Sequence, residues 1–127
     1  MIRIERIYEK DEDLNEYRIL TDRIWPRGIS KVKARLDDWT KDIAPTNELR
    51  KWFNHEPAKF PEFKLKYEEE LRNNPNLDDF LQLVYNMSKV KDVVLLYGAK
   101  DERHNQAVIL CEFTKNKLKE EFSDGDK

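Results

Sequence analysis

The apolar residues of this chain come in short groups separated by charge, and each group carries its own period. Ile2, Ile4, Ile7 and Tyr8 alternate loosely with polar residues, which predicts a strand over residues 2–8. Residues 9–16 are mostly charged and read as a loop. Residues 17–24 predict a second strand. The loop between them is too short for a crossover helix, so the two strands either form an antiparallel hairpin or lie apart in the sheet. Ser30 is a plausible N-cap, and Val32, Leu36, Trp39 and Ile43 follow on one helical face. Pro45 ends that segment, and Thr46 caps a short helix that presents Leu49, Trp52 and Phe53. Phe60, Phe63, Tyr67 and Leu71 mark a third helical stripe, ended by Asn73, Asn74 and Pro75. Leu77, Phe80, Leu81, Val84 and Met87 mark a fourth.

The unbroken apolar run from Val93 to Tyr97 has the pattern of a strand buried on both faces. Gly98 and Ala99 follow, and a last helix is expected to open within residues 100–105. It carries Ala107, Val108, Cys111 and Leu118 inward. VILCEF also has strand character, but the periodic set extending to Leu118 favours helix. Strands mixed with helical segments give an α/β fold. The expectation is a single small domain over residues 1–122, with a frayed tail at 123–127. At its centre stands a mostly parallel sheet of about three or four strands flanked by helices.

Composition narrows this picture. Hydrophobic and charged residues each make up 39% of 127 residues, so a modest core lies under a densely charged surface. Fourteen aromatics supply enough buriable area to argue against disorder. A net charge of −2 argues against nonspecific nucleic-acid binding, which draws on a basic excess. The single cysteine, Cys111, excludes an intramolecular disulfide and a multi-cysteine zinc site. The opening MIRIERIYEK is charged from its third residue, unlike a secretory leader, and no apolar run reaches membrane-spanning length. A cytoplasmic protein is expected, and nothing in the sequence sets an oligomeric state.

Candidate chemistry gathers in two stretches. The first, RILTDRIWPRG, leads from a strand into a turn: Pro26 fixes its own φ and Gly28 permits the sharp exit. It brings Asp22, Arg23, Trp25 and Arg27 to one end of the sheet, where ligands of α/β folds bind. Each has a structural alternative, such as a loop tie for Asp22, an internal ion pair for Arg23 and core packing for Trp25. The second stretch, YGAKDERHN, passes from a buried strand through small residues into a helix start, with Lys100, Asp101, His104 and Asn105 in reach. Unpaired N–H groups at a helix start favour anions, although Asp101 or a neighbour can fill that cradle from within. His55 and His104 lack metal-ligand spacing, and Cys111 on an apolar stripe reads as inert packing. No metal or cofactor motif is present in the sequence. The leading expectation is a pocket for a small anionic ligand, phosphorylated compounds included, between the two stretches. An enzymatic version would use His104 and an acid as proton carriers, and no nucleophile is evident. The alternative is a protein or nucleic-acid interaction module built on the Arg- and Trp-rich turn.

The segments RILTDRIWPRG, LDDWTKDIAPTNELRKWFNHEP and LLYGAKDERHNQAVIL, in this order, resemble the YeaO-like branch of a bacterial family of unknown function. The resemblance covers about residues 2–113 and implies a small cytoplasmic α/β protein without an established activity. A related branch resembles this one but carries cysteine and histidine near the positions held here by Asn105 and Gln106, so thiol or metal chemistry does not transfer. There is a looser likeness to rhodanese-type folds, which need a cysteine where this chain has Gly98 and Ala99. That likeness is analogy and carries no function.

Overall fold

A computed structural model describes residues 1–9 and 15–122. The expected tail at 123–127 and most of the charged loop lie outside the described residues. In chain order the elements are β1 (Ile2–Arg6), β2 (Glu16–Leu20), α1 (Lys31–Ala34), β3 (Asp38–Trp39), α2 (Asn47–Phe53), α3 (Phe60–Arg72), α4 (Leu77–Ser88), β4 (Asp92–Tyr97) and α5 (Gln106–Glu121). Short 3-10 turns at Lys41–Ile43 and Pro57–Lys59 join some of them. The strands form a single sheet in the order β1-β4-β2-β3, and every pairing is parallel. The domain is therefore α/β, as the alternation of periods predicts.

β4 occupies the centre because it is the most apolar strand. Val93, Val94, Leu95 and Leu96 are fully buried. Each such side chain contributes about 1.5–3 kcal/mol relative to exposure. With β4 inserted between them, β1 and β2 lie apart and parallel, so the hairpin alternative is excluded. On one face the sheet packs against α2, α3, α4 and α5 over a core that includes Ile19, Phe53, Phe63, Tyr67, Val84 and Leu110. Phe53 stacks on Phe63 with ring centroids 4.1 Å apart. The other face carries a smaller cluster of Ile7, Leu20, Ala34, Val94 and Leu96, with Trp25, Ile29, Leu36 and Trp39 against it.

Two expectations are corrected. The second strand ends at Leu20 rather than continuing to residue 24. The single helix through Val32, Leu36, Trp39 and Ile43 does not form: α1 stops after one turn, where Arg35 adopts a left-handed φ of 48°. Asp38 and Trp39 pair instead with Ile19 and Leu20 of β2. The physical reason is the open edge of β2. The Asp37 carboxylate accepts from Arg18 N at 2.8 Å, and Asp37 N donates to Arg18 O at 2.9 Å. An extended segment satisfies these backbone groups and a helix would leave them bare. Ser30 does cap α1, as expected.

Candidate functional site

The carboxyl ends of β2 and β4 lie side by side, and the two candidate stretches leave the sheet there. Asp22 joins them. Its Oδ2 accepts from Gly98 N at 3.0 Å, and its Oδ1 accepts from Gln106 Nε2 at 2.6 Å. Its own carbonyl accepts from Trp39 Nε1 at 2.7 Å. One carboxylate thus ties the turn after β2 to the end of β4 and the start of α5. The fit at Gly98 is close, since a Cβ there would stand 2.8 Å from Asp22 Oδ2 and 3.3 Å from Pro26 Cβ. Burial raises the Asp22 carboxyl to a pKa of about 6, against the lowering effects of the Gln106 and Gly98 hydrogen bonds and of the Arg50 charge.

Asp22 stands at the junction of two cavities. The wider, about 530 Å³, is lined by Tyr8, Pro26, Arg27, Gly98, Lys100 and Asp101 among others. The narrower, about 130 Å³, is lined by Arg50, Phe53, Phe63, Asn105 and Gln106 among others. Asp22, His55 and Ala99 belong to both. Among the described residues Arg50 Nε is buried without a hydrogen-bond partner; the guanidinium meets Asn47 Oδ1, at 3.4 Å. His55 holds a left-handed φ of 55°, next to Asn54 at 48°. Asparagine and histidine tolerate that region better than most side chains do.

The candidate residues divide between these cavities and other places. Asp22, Arg27, Lys100 and Asp101 line the wider cavity, and Asn105 lines the narrower one with Asp22. Arg23 points elsewhere: its Nε donates to Pro45 O at 2.7 Å and its Nη2 to Ala44 O at 3.2 Å. It lines a separate hollow with Tyr67 and Glu70. Arg23 and Arg27 therefore do not converge on one ligand. Trp25 donates from Nε1 to Ile29 O at 2.7 Å and meets Trp39 edge-on at 5.3 Å. His104 is held by Asp101 Oδ2 at 2.8 Å and lies edge-on to Phe60. Neither Trp25 nor His104 lines the two cavities.

The helix-start cradle is filled from within. Helix α5 begins at Gln106, later than expected, and its N-cap is Asn105 rather than Asp101. Asn105 Oδ1 accepts from the N–H groups of Ala107 and Val108. Asp101 Oδ1 accepts from Arg103 N and His104 N, and these bonds hold its carboxyl below the usual range. The first N–H groups of α5 are thus taken, and the charged groups lining the cavities are the side chains of Arg27, Arg50, Lys100, Asp22 and Asp101. Arg50, His55 and Gln106 escape a reading of the sequence because Arg50 sits on α2, His55 in the turn after it and Gln106 on α5, far along the chain. Only their helix-end and cap positions were legible, and these say nothing about convergence.

Cys111 is buried on α5, with Sγ 4.0 Å from Ile2 O and its pKa raised by burial. It lines neither cavity. Among the described residues no group of three or more His, Cys, Asp or Glu side chains is placed to hold a metal ion. Among them, too, no helix is long and apolar enough to cross a membrane.

Comparison with known proteins places the chain in a family and leaves the chemistry open. Over 115 residues the chain is 36% identical to the uncharacterized protein YeaO of Escherichia coli, covering 91% of this chain and 97% of that protein. It is 43% identical over 82 residues to an uncharacterized protein of Mycobacterium tuberculosis, covering 65% of this chain and 70% of the relative. No solved structure matches. The family model described as the inactive DUF488-N3 subclade matches residues 1–127, and the chain belongs to that family, a YeaO-like group of unknown function.

Proposed function

We propose that the paired cavities at the carboxyl edge of the sheet bind a small anionic ligand without transforming it. The observation that carries this reading is the buried, unpartnered Nε of Arg50 at the wall of the narrower cavity. A buried N–H of a cation without an acceptor is costly, and an anionic oxygen removes that cost. Arginine also offers the planar fork that matches carboxylate or phosphate oxygens. Arg27 and Lys100, both exposed at the wider cavity, continue the positive lining outward. Asp22 then accepts from a donor group of the ligand when ionised, and donates to a ligand oxygen when protonated. The description of the family as an inactive subclade supports a binding role over a catalytic one. So does the absence of Cys111 from the lining of either cavity. The interaction-module reading is weaker. It needs an exposed aromatic and basic face, whereas Trp25 is half-buried and Arg23 is bound to carbonyls.

A thermal-shift screen with inorganic phosphate, phosphorylated metabolites and small dicarboxylates tests the proposal, followed by calorimetry on any hit. Arg50→Gln is expected to weaken binding by about 1.5–3 kcal/mol, roughly 10- to 100-fold in Kd. Arg23→Lys is expected to leave Kd unchanged, because Arg23 faces another hollow. No stabilisation by any anion, or equal binding by the Arg50 variant, would sink the proposal.

A further inference from the structure

The groove beside β1 joins an unpaired strand edge to a basic wall. Among the described residues β1 pairs with β4 on one side only. In a parallel ladder, alternate residues direct both backbone groups to the same neighbour. Met1 O accepts from Val93 N and Ile7 N donates to Tyr97 O, so the odd residues face β4. Ile4 therefore turns its N–H and its carbonyl to the open side, and Ile2 turns its N–H there. A groove of about 1030 Å³ borders this edge over an apolar floor of Ile2, Ile4, Val108, Cys111 and Leu118. Lys89, Lys115 and Lys119, all exposed, stand in its wall. Helix α5 runs back past Ile2, with Cys111 Sγ 4.0 Å from Ile2 O. Lys115 and Lys119 lie roughly one and two turns further along α5, beyond the amino end of β1. Lys89 closes α4 at that same end, just before β4 begins.

The charge of this wall is not balanced within the groove. The one acid that lines it, Glu112, is held by Lys64, with Nζ and Oε1 2.8 Å apart. Lys89 covers the Tyr85 ring at 4.1 Å, and Lys115 meets the Cys111 thiol, which burial keeps protonated. Neither contact neutralises a lysine. Arg3 also borders the groove, but its charge is met by Glu5 and Glu16. The whole chain carries −2, so the positive wall is a local feature. We propose that this edge binds an extended, acidic segment of another protein. The segment adds a strand beside β1 through the outward backbone groups of Ile4 and Ile2. Its alternate apolar side chains rest on the groove floor. It continues past Ile2, so that its carboxylates meet Lys89, Lys115 and Lys119. The strand edge favours a peptide over an acyl chain with an acidic head, because hydrocarbon leaves the Ile4 N–H and carbonyl without partners. The lysines favour an acidic strand, since lysines beside an edge deter pairing with a like copy. This groove lies at the amino end of the sheet and is independent of the anion site at the carboxyl edge.

Fluorescence anisotropy with a panel of labelled, end-blocked peptides tests the proposal. Each peptide alternates Thr with one apolar residue, Val, Ile, Leu or Phe, and carries a Glu pair at both ends. Either strand direction then brings carboxylates to the lysines. At least one is expected to bind, roughly 10-fold or more tighter than the same peptide with Lys in place of Glu, and to weaken as salt rises. N-methylation along its pairing edge is expected to weaken it by a similar factor. Amide hydrogen exchange on the complex is expected to slow at Ile4. The double variant Lys89→Glu, Lys115→Glu changes two exposed positions. It is expected to keep the parental circular dichroism, to lose affinity for the Glu peptide and to gain it for the Lys peptide. If that variant does not fold, the peptide series on the unaltered chain decides. No binding by any of the panel, equal binding of Glu and Lys peptides, or binding without slower exchange at Ile4 would overturn the proposal. So would Ile4 protection that grows with the concentration of the chain alone, which marks a second copy, or protection by dodecanoate and by no peptide.

Discussion

Asp22 is the residue on which the end of the sheet turns, and its burial makes stability depend on pH. Its carboxyl titrates near pH 6 in the folded chain, against an ordinary value of 3.8. Folding therefore favours the protonated form. The stability due to this group is full below the ordinary value and is lost as pH rises through about 6. Asp22→Asn removes the ionisation, and Gln106 can rotate its amide to accept from the new one. We expect the variant to be more stable than the parent at about pH 8, by on the order of 2–3 kcal/mol, with the gap closing below about pH 4. Denaturant melts across that range check it, and a variant with an unchanged pH slope would refute the assignment. Gly98 is constrained by contact. A methyl group there meets Asp22 Oδ2 and Pro26, so Gly98→Ala is expected to cost about 1–3 kcal/mol. A loss of only a few tenths in chemical denaturation would mean the turn yields freely.

At the scale of elements, the segment between Ser30 and Ile43 divides legible from illegible most clearly. Its apolar spacing fits a helix as well as it fits the real arrangement of one turn, a short strand and a 3-10 turn. Leu36 and Trp39 are inward in both cases, but Val32 is inward only in the helix; in the structure it is 85% exposed. Val32→Ser should then change stability by no more than about 0.5 kcal/mol. Asn105→Ala should cost about 1–2 kcal/mol, because Asn105 caps α5 and its Nδ2 also donates to Asp101 O. Parallel unfolding curves for the two variants separate a decorative position from a capping one. Helices α3 and α4 were legible without correction. Their stripes are long, their breakers are strong, and Phe63, Tyr67, Leu71, Phe80, Leu81 and Val84 are buried as the period requires.

For the molecule as a whole, the parallel order β1-β4-β2-β3 brings together residues far apart in sequence. β4 comes last of the strands yet lies between the first two, so the turn after β2 and the turn after β4 become neighbours at one edge. Sites in open α/β sheets gather at such carboxyl edges. The proposed anion site follows from that strand order.

The sequence by itself determined the local elements whose period and breakers agree: β4 as a doubly buried strand, α3 and α4, the caps at Ser30 and Thr46, and Gly28 as the turn exit with φ of 81°. These depend on side-chain spacing and backbone preference within a few residues, which one chain displays directly. It also singled out Asp22, Arg23, Trp25, Arg27, Lys100, Asp101, His104 and Asn105, on two stretches that were expected to share one pocket. Only the tertiary structure decided that Arg23, Trp25 and His104 turn away, that Asn105 fills the start of α5, and that Arg50, His55 and Gln106 join Asp22. Those outcomes depend on which backbone carbonyls and amides remain unsatisfied once the sheet has closed. Partners dozens of residues away set that condition, and no local pattern encodes it.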